Sequence, residues 1–143
     1  MGNKPDKAAE NIAWLKAKEK EEPVARFLDI ELLELTPGYA RVRMKVKPEY
    51  HNFHGLTFGG IIMAVSDQAF AYASNSLAYP SVASNFNTSF MASAKSGDEL
   101  VAECRVIKSG KRAGFSEITV TNQDDRLIAR SNGITIPVGN NES

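Results

Sequence analysis

Gly59-Gly60-Ile61-Ile62-Met63-Ala64-Val65-Ser66-Asp67-Gln68-Ala69-Phe70-Ala71-Tyr72-Ala73-Ser74-Asn75 is the run on which the fold turns. Its apolar residues cover most of the circumference of a helix, and a helix apolar nearly all round is surrounded by other structure. The small residues Ala64, Ala69, Ala71 and Ala73 allow neighbouring backbone to approach closely. Asp67 is the only carboxylate in the run, with no Lys, Arg or His to neutralise it. Burying an unpaired carboxylate is costly, and the usual response is a raised pKa or solvent access through a cleft. Two readings stay open here. Asp67 faces water on an exposed sliver or pairs with a strand residue such as Arg130; or it is the perturbed acid of a functional site.

Outward from this helix the pattern changes to strands. Upstream, residues 30–35 are apolar and acidic by turns, and Thr36-Pro37-Gly38 supplies a tight turn. Ala40, Val42, Met44 and Val46 then alternate with Arg41, Arg43, Lys45 and Lys47, which is the period of a half-buried strand. Downstream, residues 82–91, 99–108, 114–122 and 127–136 read as four more strands, joined by Ser96-Gly97-Asp98, Ser109-Gly110-Lys111 and the polar run 122–125. The order predicts an α+β domain in which an antiparallel sheet buries one face around a single helix. Residues 6–22 predict a polar helix with Asp6 as N-cap and a weak stripe of Ala9, Ile12, Ala13, Leu15 and Ala17 with Trp14. It is expected to lie on the outside of the domain or over a partner subunit. Pro23 closes it and starts a short helix through Ala25, Phe27 and Leu28. The chain therefore divides into a helical extension (1–29), one domain (30–138) and a polar tail (139–143) expected to fray.

The totals narrow the function. A chain of 143 residues, 43% hydrophobic and 24% charged, has the size and composition of one globular domain. Its 17 basic and 17 acidic residues cancel, so no global field draws it to nucleic acid or an anionic membrane. Partner choice falls to a local site. The lone Cys104 reads as a small buried hydrophobe. The N-terminus shows no apolar signal core and no run approaches the ~20 apolar residues of a membrane span, so the cytosol is the expected location.

Gly59-Gly60 bears on chemistry in two ways. Glycines permit close packing, and they also leave backbone N–H groups bare at the positive end of a helix, where they can polarise a carbonyl. Asp67 lies seven residues beyond Gly60, about 10 Å along the axis at 1.5 Å per residue. A base and an oxyanion donor must reach the same carbonyl. One helix has difficulty supplying both, whereas two antiparallel copies would set one copy's Gly59-Gly60 opposite the other's Asp67.

The run Asn52-Phe53-His54-Gly55-Leu56-Thr57-Phe58-Gly59-Gly60, with Ala64-Val65-Ser66-Asp67-Gln68-Ala69-Phe70-Ala71-Tyr72-Ala73-Ser74-Asn75-Ser76, resembles the hot-dog thioesterases of the phenylacetate-degradation (PaaI) type. The resemblance continues through Val82-Ala83-Ser84, residues 90–98 and Gly110-Lys111, and leaves the N-terminal helix outside. It implies a hot-dog fold and hydrolysis of aryl, aryl-acetyl or medium-chain acyl-CoA. It implies Asp67 as general base or nucleophile, Gly59 and Gly60 as carbonyl-polarising amides, and Asn52 as the group that orients water or substrate. It implies no metal and no redox cofactor, and His51 and His54 with no cysteine near them argue against zinc. A homodimer with shared sites, and a homotetramer, are the expected assemblies. One departure stands out: Phe58 occupies the place where the family usually has His. It would reshape the acyl pocket, slow turnover, or mark a chain that binds acyl-CoA without hydrolysing it, and a binding protein is the second functional class considered. A dehydratase fits less well, because its helix normally brings a His. His54 is either a nearby polar group or an ordinary loop histidine. Met63, Phe70 and Phe58 are expected acyl walls, with Ser84 and Asn85 as polar contacts. Lys108, Lys111 and Arg112, with Lys95, are the expected partners of the CoA phosphates, or simply a solvated hairpin tip.

Overall fold

In the computed structural model, residues 3–139 are described; Met1, Gly2 and the tail 140–143 lie outside the described residues. The chain runs α1 (Asn3–Lys18), a 3₁₀ turn (Glu19–Glu21), α2 (Pro23–Leu28), β1 (Glu31–Thr36), β2 (Tyr39–Lys45), a second 3₁₀ turn (Pro48–Tyr50), α3 (Gly59–Leu77), β3 (Ser81–Phe90), β4 (Glu99–Ser109), β5 (Gly114–Thr121) and β6 (Leu127–Pro137). The strands form one antiparallel sheet in the order β1-β2-β4-β5-β6-β3. After β2 the chain crosses the sheet through α3, and β3 joins at the far edge. This is the hot-dog arrangement, with α3 as the central helix.

Alternation does most of the sorting. On β2, Ala40, Val42 and Met44 are buried, while Arg41, Arg43 and Lys45 take the other face. On β4 and β5, Leu100, Ala102, Cys104, Ile118 and Val120 are buried beneath Val65, Ala69 and Ala73 of α3. Burying a Val, Leu, Ile or Phe side chain stabilises by about 1.5–3 kcal/mol, so this layer is the main source of cohesion. Burial also pushes the Cys104 thiol up to about 12, which makes it an inert core group. Phe70 wedges between helix and sheet because β6 carries glycine beneath it. A Cβ on Gly133 would stand 2.6 Å from the Phe70 ring, which also stacks on Phe86 at 5.4 Å.

Polar residues at the end of α3 tie the layers together. Ser76 Oγ donates to Ala73 O (2.6 Å) and accepts from Gly38 N–H (2.8 Å), fixing the β1–β2 turn to the helix. Gly38 has φ 75, the left-handed region that favours glycine. The Asn75 amide clamps the start of β3, accepting from Ser81 N–H (2.9 Å) and donating to Ser81 O (3.2 Å).

The N-terminal helix departs from expectation. It begins at Asn3, three residues before the expected start at Asp6, and its last turn tightens at Glu19–Glu21. Its inner face is Ala8, Asn11, Ile12 and Leu15, whereas Ala9, Ala13 and Ala17 are exposed. The centre of that face is polar because Asn11 Nδ2 donates to Ser76 O (3.1 Å), a contact that an apolar stripe does not reveal. α1 thus packs on α3 of its own chain, and Trp14 lies 4.7 Å from the Tyr79 ring, centroid to centroid. Pro23 begins α2 as expected, although Phe27 is exposed. Among the described residues, no helix is long and apolar enough to cross a membrane.

Candidate active site

The loop before α3 is shaped by Asn52. Its Oδ1 accepts from the N–H groups of His54 (2.9 Å) and Leu56 (3.2 Å), and its own N–H donates to Leu56 O (2.7 Å). The carbonyl oxygen is consumed by this turn, and the two Nδ2 donors remain uncommitted to it. Thr57 anchors the end of the loop, its N–H (2.9 Å) and Oγ1 (2.8 Å) both donating to Ala94 O.

α3 then starts without a side-chain cap, Phe58 standing at the N-cap. Phe58 O accepts from Ile61 N–H (2.9 Å) and Ile62 N–H (3.4 Å). Among the described residues, no backbone carbonyl accepts from the N–H of Gly59 or Gly60. These are first-turn donors of a helix, at its positive end. Two aromatic rings bracket them. A Cβ on Gly59 would stand 3.1 Å from the Phe90 ring, and one on Gly60 2.8 Å from the Phe58 ring. Glycine at these two positions lets both rings lie close to the first turn.

Contrary to the sequence pattern, α3 is not enclosed all round. Gly60, Asp67 and Ala71 are exposed, with Met63 and Ala64 half-buried between them, and these positions repeat at helical spacing along one strip. Asp67 sits at its middle, more than a third exposed, with no ion pair among the described residues. The pairing with Arg130 does not form. Arg130 alternates with buried Ala129 and Ser131 on β6, which turns it to the outer face of the sheet, away from the helix. The Asp67 side chain is open to water on one side yet partly desolvated by its surroundings. Desolvation raises its pKa first, and the nearby charge of Glu22 raises it further. Glu22 was not visible as a site residue in the sequence. It precedes α2 and accepts a 2.6 Å hydrogen bond from Gln68 Nε2, the residue next to Asp67. A contact across 46 positions leaves no local signal. His51, which the sequence offers only as a zinc ligand to be dismissed, has its Nε2 buried without a partner among the described residues, one position from Asn52.

The other expected residues scatter. His54 and Phe58 are exposed at the loop and the helix start, His54 edge-on to Phe53 at 4.6 Å. Ser84 and Asn85 lie at a bulge on β3, exposed on the edge strand; Ser84 Oγ donates to Ile134 O (3.3 Å) and Asn85 Oδ1 accepts from Asn87 Nδ2 (2.7 Å). Phe70, expected as an acyl wall, is a core residue on the sheet side of α3, 1% exposed, because Gly133 leaves room for it there. Lys108, Lys111 and Arg112 gather at the exposed β4–β5 turn, toward the C-terminal end of α3, where Ser109 and Gly110 share a small hollow with Ser74 and Ala78. Lys95 is at the other end, following the Ala94 that holds Thr57. The length of β4, roughly 35 Å at about 3.3 Å per residue, separates it from the other three within one chain. Among the described residues, no group of three His, Cys, Asp or Glu gathers as metal ligands would.

An unpaired, pKa-raised carboxylate on the same strip as the bare Gly60 amide suits hydrolysis of an activated acyl group, and comparison with known proteins agrees. Residues 54–129, more than half of the chain, match the thioesterase superfamily. The chain belongs to the thioesterase superfamily. A putative esterase of Archaeoglobus fulgidus is 36% identical over 114 residues, 80% of this chain and 74% of that protein. Acyl-coenzyme A thioesterase PaaI of Escherichia coli K12 is 33% identical over 115 residues, 80% of this chain and 82% of that protein. The solved structure of the E. coli PaaI protein from the phenylacetic acid degradation operon superposes with a TM-score of 0.87 at 31% identity, covering 95% of this chain and 96% of that one. Within the thioesterase superfamily the chain is thus of the PaaI type, and a match over 95% of the chain takes in at least part of α1. The chain is a thioester hydrolase by family, and the superfamily match itself covers both the Asn52–Gly60 loop from His54 onward and the whole of α3.

Proposed function

We propose that the protein hydrolyses acyl-CoA thioesters to a free acid and CoA, at a site made by two copies of the chain. The observation that carries this reading is the open strip of α3, where an unpaired Asp67 with a raised pKa shares one helix face with the bare Gly60 amide. In this reading water attacks the thioester carbonyl while Asp67 accepts its proton. The N–H groups of Gly59 and Gly60 hold the oxyanion, and the tetrahedral adduct collapses to acid and CoA thiolate. A thiol near pKa 8.5 leaves without help from a strong acid, so no metal or redox group is needed. Direct attack by Asp67, giving a mixed anhydride that water then cleaves, uses the same residues. Asn52 Nδ2 is the donor proposed to orient the water or the carbonyl.

The separation of about 10 Å between Gly60 and Asp67 along one helix is what calls for two copies. β3 supports the pairing. It is an edge strand of 10 residues bonded only to β6, with Val82, Phe90 and the following Met91 about half exposed. Unpaired strand edges of that length invite another chain. Pairing β3 with β3 about a two-fold axis sets two α3 helices antiparallel, each Asp67 toward the other's Gly59-Gly60. The outward apolar patch of Phe115, Ile134 and Ile136 offers the second contact of a dimer of dimers.

The test is release of CoA, trapped by a thiol reagent, across a panel of acyl-CoAs. Asp67→Asn and Asn52→Ala chains, each inactive alone, should regain about half of the wild-type rate as verified heterodimers, since one of the two sites is then intact. No rescue removes the shared site. A second reading, acyl-CoA binding without hydrolysis, is favoured by the Phe58 ring lying against Gly60. Tight binding with no CoA release at any pH would decide for it.

A further inference from the structure

Between α1 and α3 lies a trough of about 450 Å³, within the usual size range of small-molecule pockets. Its walls are Trp14 and Leu15 from α1, Ala71 and Tyr72 from α3, and Tyr79 and Pro80 beyond the helix. Its exposed lining is mostly apolar, with Trp14, Tyr72 and Tyr79 as the aromatic members. Its rim is acidic: Glu19, Glu21 and Glu22 with Lys18. Lys18 Nζ lies 3.4 Å from Glu21 Oε1, so those two charges offset each other and Glu19 and Glu22 remain. Glu22 is held in place by Gln68, another wall residue. The trough opens beside the candidate catalytic group, since Ala71 is four residues past Asp67, one turn along the exposed strip. From Asp67 to Asn75, also a lining residue, α3 extends about 12 Å at 1.5 Å per residue.

We infer that this trough receives the acyl group of the thioester, and that its acidic rim restricts it to uncharged acyl groups of medium length or aromatic bulk. The inference rests on the hydrolase reading for the identity of the ligand and goes beyond it in assigning selection to α1. An acyl chain whose carbonyl is at Asp67 has this trough one turn further along the helix, walled by Trp14. An acyl group ending in a carboxylate would carry that charge past Glu19 and Glu22 into a trough whose cation among the described lining residues, Lys18, lies against Glu21. Uncharged acyl groups meet no such barrier. Pocket selection therefore sits on the N-terminal helix and on Ala71, outside the core residues that build the domain.

Binding of thioethers tests this without requiring turnover. S-octyl-CoA, S-methyl-CoA and S-(7-carboxyheptyl)-CoA would be titrated calorimetrically into the full chain. The octyl compound should bind at least about tenfold more tightly than the methyl compound, from burial of its methylenes. It should bind at least about tenfold more tightly than the carboxyheptyl compound, with that gap narrowing as salt is added. Ala71→Leu, which keeps a good helix former and fills the trough, should cut the octyl-to-methyl ratio by at least about fivefold. Glu22→Gln should raise carboxyheptyl affinity relative to octyl by about threefold, and lose part of the salt dependence. Equal affinity for octyl and methyl compounds, or ratios unmoved by both variants, overturns the assignment. The two readings fail separately. If the wild type cleaves octanoyl-CoA while these ratios stay flat, the trough falls and the hydrolase stands; if the ratios behave as stated and no thioester is cleaved, the hydrolase falls and the trough stands.

Discussion

Val65, Ala69 and Ala73 lie fully buried against the sheet, while Gly60, Asp67 and Ala71 on the other side of the same helix stand open. The closed side is governed by size and shape. Its members fill the space between α3 and the strands, and Phe70 fits because Gly133 has no side chain. The open side obeys a different rule. An unpaired carboxylate with a raised pKa, near a second carboxylate, does nothing for cohesion, and the bare amides at the helix start are left without acceptors. A side that stability alone would not build is the side where chemistry is to be sought.

The sharpest way to break this contrast is Asp67→Asn. Loss of the base should lower kcat/KM for acyl-CoA by about 10²–10⁴-fold. Stability should move the other way. The folded pKa is raised above the unfolded one, so ionising Asp67 costs the folded state; that cost is absent below the unfolded pKa and grows as pH rises through the folded pKa. Thermal unfolding at neutral pH should therefore show the variant at least as stable as the wild type, with the difference vanishing in acid. A variant that loses activity by unfolding would erase the distinction between the two sides. The mirror experiment is Phe70→Ala, which should cost about 3–5 kcal/mol in denaturant titrations by opening a cavity in the core. Gly133→Ala approaches the same spot from the sheet. Its Cβ would meet the Phe70 ring at 2.6 Å and Asn85 O at 3.1 Å, and overpacking of that kind costs about 1–3 kcal/mol. If Phe70→Ala and Gly133→Ala are made together, the clash with the ring disappears and only the close approach to Asn85 O remains, so the combined cost should fall below the sum.

The strands were legible because their signal is local. Alternation over 40–47 and the turn chemistry around Gly38 and Gly110 locate β2 and the β1–β2 and β4–β5 hairpins to within a residue or two, and Gly97 marks the turn that leads into β4. The central helix was legible as buried, but not which side stays open: alanine is compatible with both environments, so Ala69 and Ala71 look alike in sequence while one is covered and the other exposed. Asp67 stood out because a charge among apolar residues is rare. Its surroundings did not, since Glu22 reaches it only through the fold and Arg130 is turned away by strand parity. Polar residues used as staples, such as Asn11 on the inner side of α1, also mislead a reading based on hydrophobic stripes. Tertiary contacts between distant polar groups have no period to detect.

The smallest effect expected is also the most specific to the open side. A carboxylate base works only when ionised, so the acid limb of kcat/KM against pH should follow Asp67 and lie above the ordinary carboxylate range. Desolvation is the larger cause of that elevation and the charge of Glu22 the second. Glu22→Gln removes the charge, while its amide oxygen can still accept from Gln68 Nε2. The limb should therefore move to lower pH but stop short of the ordinary range, because the crowding around Asp67 is unchanged. Added salt should move the wild-type limb in the same direction and the variant's limb less, since only the wild type has a charge to screen. Glu21→Gln serves as the comparison: Glu21 lies against Lys18, exposed, and does not contribute to the Asp67 shift. A limb that follows Glu21 as closely as Glu22 would mean that net charge, and not the side chain held by Gln68, sets the protonation of the strip.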